Sequence, residues 1–317
     1  MQGMEELMSE QSDVDWLVEG VLPAAGRVLL YADSGVGKSF TALDIALHVA
    51  MGRPWQGHAV KQGPVYYLAA ENPDMFYGRV QAWEKHHKGA AHWEKSNPGV
   101  KVPFWLDPSP LDLSAPGAMD ALLAKLGPAH LVVIDTLLTA LGSWDVKDTS
   151  KSYSALDQVN RIIAHTGATV LLVHHKPDQG THPMGGSAWR GGTQTRIYLT
   201  RQRGGRNVGE DGDFHDGDTI TLKCQKMSGA PRFPDVVIPV RLVKLKRGLS
   251  VPVLASEKVK GRPRRVHLTS ATPRVLRLVK DAPTRSAHAE RQARYRERAK
   301  LAKVTPSDAV TPQSDAV

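Results

Sequence analysis

Two rhythms of apolar residues run along the chain. Arg27-Val28-Leu29-Leu30-Tyr31 is a short apolar run, and Phe40 to Ala50 is apolar at helical spacing. Gly63-Pro64 opens a second run, Val65 to Ala70, which ends at Glu71, and a helix is expected after Pro73. The stretch 86–99, rich in His, Lys and Gly, predicts a loop with a short helix. Val102 to Leu106 predicts an edge strand, and 116–127 a helix. His130 to Asp135 is a nearly continuous apolar run with an acid at its end. Ala168 to Val173 is another, ending at His174-His175. Between them, residues 150–166 place apolar side chains at 153, 156, 159, 162 and 163, an amphipathic helix. Uninterrupted apolar strands are buried on both faces, and strands alternating with helices imply an α/β fold with a mostly parallel sheet and right-handed crossovers. More polar strands near 195–201, 218–225 and 235–246 predict an antiparallel C-terminal extension.

A chain of 317 residues, 41% hydrophobic and 23% charged, has the composition of a soluble globular protein. Its apolar runs are too short for a membrane span, so no membrane partner is expected. Residues 1–19 are acidic and polar, unlike a signal peptide, and the residues before the first strand leave no room for a separate N-terminal domain. The single Cys224 excludes an internal disulfide, fits a cytoplasmic location, and reads as a small residue packed in a strand. The net charge of +9 is unevenly placed: residues 241–303 hold 19 Lys and Arg against 4 Asp and Glu, so the remainder is acidic. Three regions follow: a large α/β domain over 1–250, a basic and partly helical extension over 251–303, and a low-complexity tail over 304–317 with Ser-Asp-Ala-Val twice. The basic extension points to a polyanion, nucleic acid, with a merely solvated tail as the alternative.

Ala32-Asp33-Ser34-Gly35-Val36-Gly37-Lys38-Ser39 lies between the first strand and its helix, the context of a phosphate-binding loop. Backbone N–H groups at a helix N-terminus form a concavity favourable to phosphate. Gly35 and Gly37 allow backbone angles that a Cβ opposes. Asp33, Ser34, Gly35, Val36, Gly37, Lys38, Ser39 and Phe40 are the expected nucleotide-contacting set, with Lys38 near the β and γ phosphates and the Ser39 hydroxyl on Mg²⁺. Ala32 stands where this pattern usually begins with glycine. Ligands of parallel α/β sheets bind beyond the carboxyl ends of the strands. Asp135 is there a second ligand for Mg²⁺, Glu71 a carboxylate able to deprotonate the attacking water, and His175 a hydrogen-bond donor to the γ-phosphate. Each acid could instead cap a helix. His174, His175, Asp178 and His182 form a rival metal cluster, though in no established zinc spacing. His86, His87 and His92 read as surface residues. Residues 178–192, with glycines on both sides, predict a moving loop.

The succession Asp15-Trp16-Leu17-Val18, Gly52-Arg53-Pro54-Trp55, Val65 to Glu71, Val132 to Leu137, Val173 to Lys176 and Gly186 to Gly191 resembles the RepA-type branch of RecA/DnaB-like P-loop ATPases of plasmids and phages, over roughly residues 14–245. The resemblance implies a RecA-like core and a hexameric ring of DNA helicase subunits acting on single-stranded DNA. It implies Lys38, Ser39 and Asp135 on Mg-ATP, Glu71 as catalytic carboxylate, His175 as γ-phosphate sensor, and ATP hydrolysed between subunits. A cation would act in trans, with Arg190, Arg201 and Lys226 as candidates. Relatives often carry a second basic residue two positions after this lysine, where Ser228 stands here.

Lys258 to Arg265, with Gly261-Arg262-Pro263 at its centre, resembles an AT-hook, which lies in the minor groove of A·T-rich duplex DNA. Residues 289–300 read as a basic helix with Arg291, Arg294 and Arg298 on one face. The expected activity is an ATP-dependent DNA helicase or translocase in the replication of a mobile element. A RecA-like recombination or mediator ATPase forming filaments, and a DNA-binding regulator that uses ATP only as a switch, are the alternatives.

Overall fold

The computed structural model describes residue 4 and residues 14–71, 74–177, 182–185, 187–208 and 212–256. The AT-hook-like segment, the basic helix and the repeated tail lie outside the described residues.

A two-stranded hairpin, β1 (Trp16–Val18) and β2 (Leu22–Pro23), leads into the main sheet. Next come β3 (Arg27–Ala32), α1 (Lys38–Met51), β4 (Val65–Ala69), α2 (Asp74–His87) and α3 (Gly89–Ser96). Then follow β5 (Phe104–Asp107), α4 (Ala118–Leu123), β6 (Leu131–Asp135), α5 (Leu137–Ala140), α6 (Thr149–Thr166) and β7 (Thr169–His175). The last elements are α7 (Ser187–Gly192), β8 (Thr195–Arg203), β9 (Arg206–Asn207), β10 (Thr219–Met227), β11 (Val236–Lys244) and β12 (Ser250–Leu254).

The sheet has the order β12-β11-β10-β8-β3-β7-β6-β4-β5, with β9 paired to β8. Strands β8, β3, β7, β6, β4 and β5 are mutually parallel, and β10, β11 and β12 are antiparallel to their neighbours. The fold is therefore the α/β architecture expected, with one correction. The strand near 195 belongs to the parallel set, because α7 carries the chain back to the start of β3, where Val28 is in register with Thr195.

Alternation along β3 explains the layers. Val28, Leu30 and Ala32 join a core with α1 residues Ala42, Ile45 and Val49. Leu29 and Tyr31 face the opposite core, with Ala155, Val159 and Ile162 of α6. A third, smaller core joins Ala82 of α2 to Val251 and Val253 of β12, with Phe40 of α1 against it. The hairpin β11–β12 thus leans on the two helices beside the glycine loop. Strand β12 was not among the predicted strands.

Two further expectations change. The His87 side chain is buried at the end of α2, with Nε2 2.9 Å from the Leu254 carbonyl oxygen and 3.7 Å from Asp44 Oδ1, so it is not a surface group. Residues 187–192 form helix α7 with Ala188 and Trp189 buried, where a loop was expected.

Candidate active site

The glycine loop leaves β3 at its carboxyl end. Ala32 is still in the strand, in register with His175, and its carbonyl accepts the Lys176 N–H at 3.0 Å. The left-handed angles fall later, at Gly35 (φ 67°) and Gly37 (φ 111°). An alanine at the first position therefore meets no steric objection. A Cβ on Gly37 would lie 2.6 Å from Ile220 Cδ1 and 3.2 Å from Phe214 Cζ, so here only glycine fits.

One cavity opens beyond these strand ends. It is lined by Ser34, Gly35, Gly37, Lys38, Ser39, Phe40, Glu71, Arg79, Thr136, His175 and Phe214. Lys38 is buried, and its ammonium donates to the Asp33 carbonyl at 2.8 Å, the Ala32 carbonyl at 3.3 Å and His175 Nδ1 at 3.4 Å. An ammonium only donates, so His175 Nδ1 is the acceptor and Nε2 carries the proton. Burial first, then the Lys38 charge, lowers the His175 pKa, against an opposing pull from Glu71. The ring is thus a neutral imidazole with one N–H left to give.

Asp135 lies buried at the end of β6. Its Oδ2 accepts the Tyr67 hydroxyl at 2.7 Å, and the Ser39 hydroxyl also bears on the carboxylate. Burial raises its pKa, and the two hydroxyls and Arg79 oppose that rise. Oδ1 is buried with no hydrogen-bond partner among the described residues. An unsatisfied carboxylate oxygen beside a serine hydroxyl is a donor set that suits Mg²⁺, which takes few protein oxygens and keeps its waters.

Glu71 follows β4. Its backbone N–H donates to the Asp135 carbonyl at 3.2 Å, and its Oε2 accepts the Thr136 hydroxyl at 3.1 Å. The Asp33 side chain turns from the cavity to Lys176 Nζ at 2.7 Å and to the Tyr198 hydroxyl at 3.4 Å. Val36 is buried in the core, and neither residue lines the cavity.

Three cavity residues were missed by sequence reasoning. The Arg79 guanidinium lies 4.8 Å from the Phe40 ring centroid and 5.6 Å from that of Phe76, and its buried Nε has no hydrogen-bond partner among the described residues. A lone arginine among the apolar positions Phe76, Ala82 and Trp83 of α2 was its signal. Thr136 was legible as a hydroxyl directly after the acid. Phe214, edge-on to Phe40 at 5.5 Å, sits in a polar loop that gave no signal.

The basic candidates do not join this cavity in the same chain. Lys226 is in register with Arg196 near the start of β8, at the opposite end of β3 from the glycine loop. Its ammonium donates to the carbonyls of Thr193 at 2.7 Å, Gly191 at 3.1 Å and Arg190 at 3.3 Å, closing the end of α7. Burial, with Arg196 and Arg27 nearby, lowers its pKa. Arg190 is exposed on α7. Arg201 is buried and committed to its own chain, donating to the Gly212 carbonyl and covering the Phe214 ring at 4.2 Å. His174 is fully buried with Nε2 3.0 Å from the Met184 carbonyl oxygen, and burial pushes its pKa down to about 4. Among the described residues, no group of three His, Cys, Asp or Glu could hold a metal, and Asp178 of the rival cluster lies outside them.

Among the described residues, no helix is long and apolar enough to cross a membrane. The model of one protein family, described as AAA domain, matches residues 2–180, more than half of the chain. No curated protein matches it.

Proposed function

The chain belongs to the AAA domain family of P-loop ATPases, and on that premise we propose that it is an ATP-driven DNA helicase of the RepA-like kind, working in replication of a plasmid, phage or other mobile element. The observation that carries the reading is the convergence of Lys38, Ser39, Glu71 and His175 on one cavity, with Asp135 beside Ser39. These groups suit phosphoryl transfer to water. Magnesium, when bound, supplies positive charge to the triphosphate, and Ser39 and Asp135 would hold it.

Lys38 and the loop N–H groups hold the phosphates. The water oxygen forms a bond to the γ-phosphorus as the bond to the bridging oxygen breaks, and ADP leaves. Glu71 takes the water proton. His175, neutral and with Nε2–H available, donates to the terminal phosphoryl group. Arg190 or Lys226 of a neighbouring subunit in a hexameric ring supplies charge in trans, and Lys226 would first have to leave the α7 carbonyls. Single-stranded DNA is the track, and the basic segment beyond residue 256 contacts A·T-rich duplex. The cytoplasm is the place of work.

Strand separation on forked DNA tests this reading, with ATP and with a non-hydrolysable analogue. Unwinding with ATP alone supports it. ATP hydrolysis without unwinding leaves an ATPase that is not a helicase. Glu71→Gln, assayed beside it, is expected to abolish turnover and spare ATP binding.

A further inference from the structure

Thr136 follows Asp135 and is the N-cap of α5. It is buried, and its Oγ1 lies 3.1 Å from Glu71 Oε2, 3.1 Å from Thr139 Oγ1 and 3.4 Å from the Thr139 backbone nitrogen. A hydroxyl has one proton and two lone pairs. An ionised carboxylate only accepts, so the Thr136 proton goes to Glu71. The Thr139 hydroxyl and backbone N–H then both donate to Thr136. All three positions of the hydroxyl are engaged, and its direction is fixed by the first turn of α5.

Glu71 needs such a partner. It is exposed, and a glutamate side chain has several rotatable bonds to immobilise before it meets a water at a productive distance. Among the described residues, the side-chain hydrogen bond to its carboxylate comes from Thr136. Tyr67 and Ser39 are turned to Asp135 instead.

We propose that Thr136 is a positioning residue for Glu71: its hydroxyl aims the carboxylate into the cavity and ties that aim to the α5 turn. The inference rests on the reading of Glu71 as the base that activates water.

The test is steady-state ATP hydrolysis and direct ATP binding by the full chain carrying Thr136→Val, Thr136→Gly, Thr136→Ser or Glu71→Gln. Valine keeps the shape and removes the hydroxyl. Glycine also removes it but keeps most of the capping, so it remains informative if the valine variant does not fold. Both are expected to lose about tenfold in kcat with KM for ATP within about twofold, because positioning acts on the reacting geometry and not on ground-state binding. Serine, which keeps the hydroxyl, is expected to turn over within about twofold of the parent. A Thr136→Gly protein with parental kcat, or a Thr136→Ser protein as slow as the valine variant, overturns the inference. If Glu71→Gln still turns over, the reading of Glu71 as base falls, and this inference with it. If Glu71→Gln is inactive while Thr136→Gly is normal, the positioning inference alone falls.

Discussion

Trp83 donates its indole N–H to Asp44 at 2.7 Å, and this bond joins α2 to the helix that follows the glycine loop. Trp55 donates to the other oxygen of the same carboxylate at 2.8 Å. Asp44 is buried, with His48 Nδ1 3.4 Å and His87 Nε2 3.7 Å from Oδ1. A buried charge is tolerated where donors surround it. Asp44→Ala leaves two buried indole donors without partners, at about 1–3 kcal/mol each. The expected result is a drop of about 3 kcal/mol in unfolding free energy by urea titration. Asp44→Asn, which keeps one acceptor oxygen, is expected to fall less, and equal stability of the alanine variant and the parent would refute this account.

Gly37→Ala combines two penalties. The backbone is left-handed at φ 111°, and the new Cβ meets Ile220 and Phe214. Strain alone costs about 1–3 kcal/mol. Gly117→Ala, at φ 75° with nothing within 4 Å, isolates that strain. Calorimetry is expected to show a larger loss for the first variant, and ATP titration to show weaker binding, by at least about tenfold, for the first only, since its contacts distort the phosphate cradle.

Acid should unfold the protein in a defined window. Burial holds His174 and His87 down to about 4. In the unfolded chain each binds a proton near pH 6.5. Between those values the unfolded state binds more protons, so stability is full above pH 6.5 and is lost as pH falls toward 4. For fully buried His174 the loss approaches roughly 3 kcal/mol below pH 4. Asp135 acts in the opposite sense, since burial raises its pKa. Melting temperatures are expected to fall between pH 7 and pH 5, with a shallower slope for His87→Gln, whose amide can still donate to the Leu254 carbonyl. A flat profile for the parent would contradict the assignment of both rings as neutral.

Lys176 and Asp33 pair at 2.7 Å across the gap between the end of β7 and the glycine loop. Lys176→Met removes the charge and keeps the stem. A partly exposed pair of this kind contributes about 1 kcal/mol or less. The predicted change is therefore a KM for ATP several-fold higher with little shift in melting temperature, and an unaltered KM would show that the bridge does not brace the loop.

The parallel sheet and its ligand edge were legible because buried strands are uninterrupted apolar runs: Leu131 to Ile134 and Val170 to Val173 lie at the core, and the polar residues that end them, Asp135 and His175, mark the edge. The loop between β3 and α1 was legible because only glycine accepts the angles at 35 and 37. Other features depend on partners distant in sequence. His87 looked like one more polar residue in a basic stretch, and its burial is set by Asp44 and Leu254. Strand β12 carries only five residues including Pro252, and it becomes a strand by pairing with β11. Phe214 reaches the cavity from a polar loop whose own pattern mentions no ligand.

Strand β12 has a practical consequence. Val251 and Val253 share a small core with Ala82, and Phe40, one residue past Ser39, packs on the same cluster. Shortening the protein to probe its cationic end must therefore begin after residue 256, since a cut at 250 would strip the floor from beneath the nucleotide loop's helix and imitate a defect in DNA engagement.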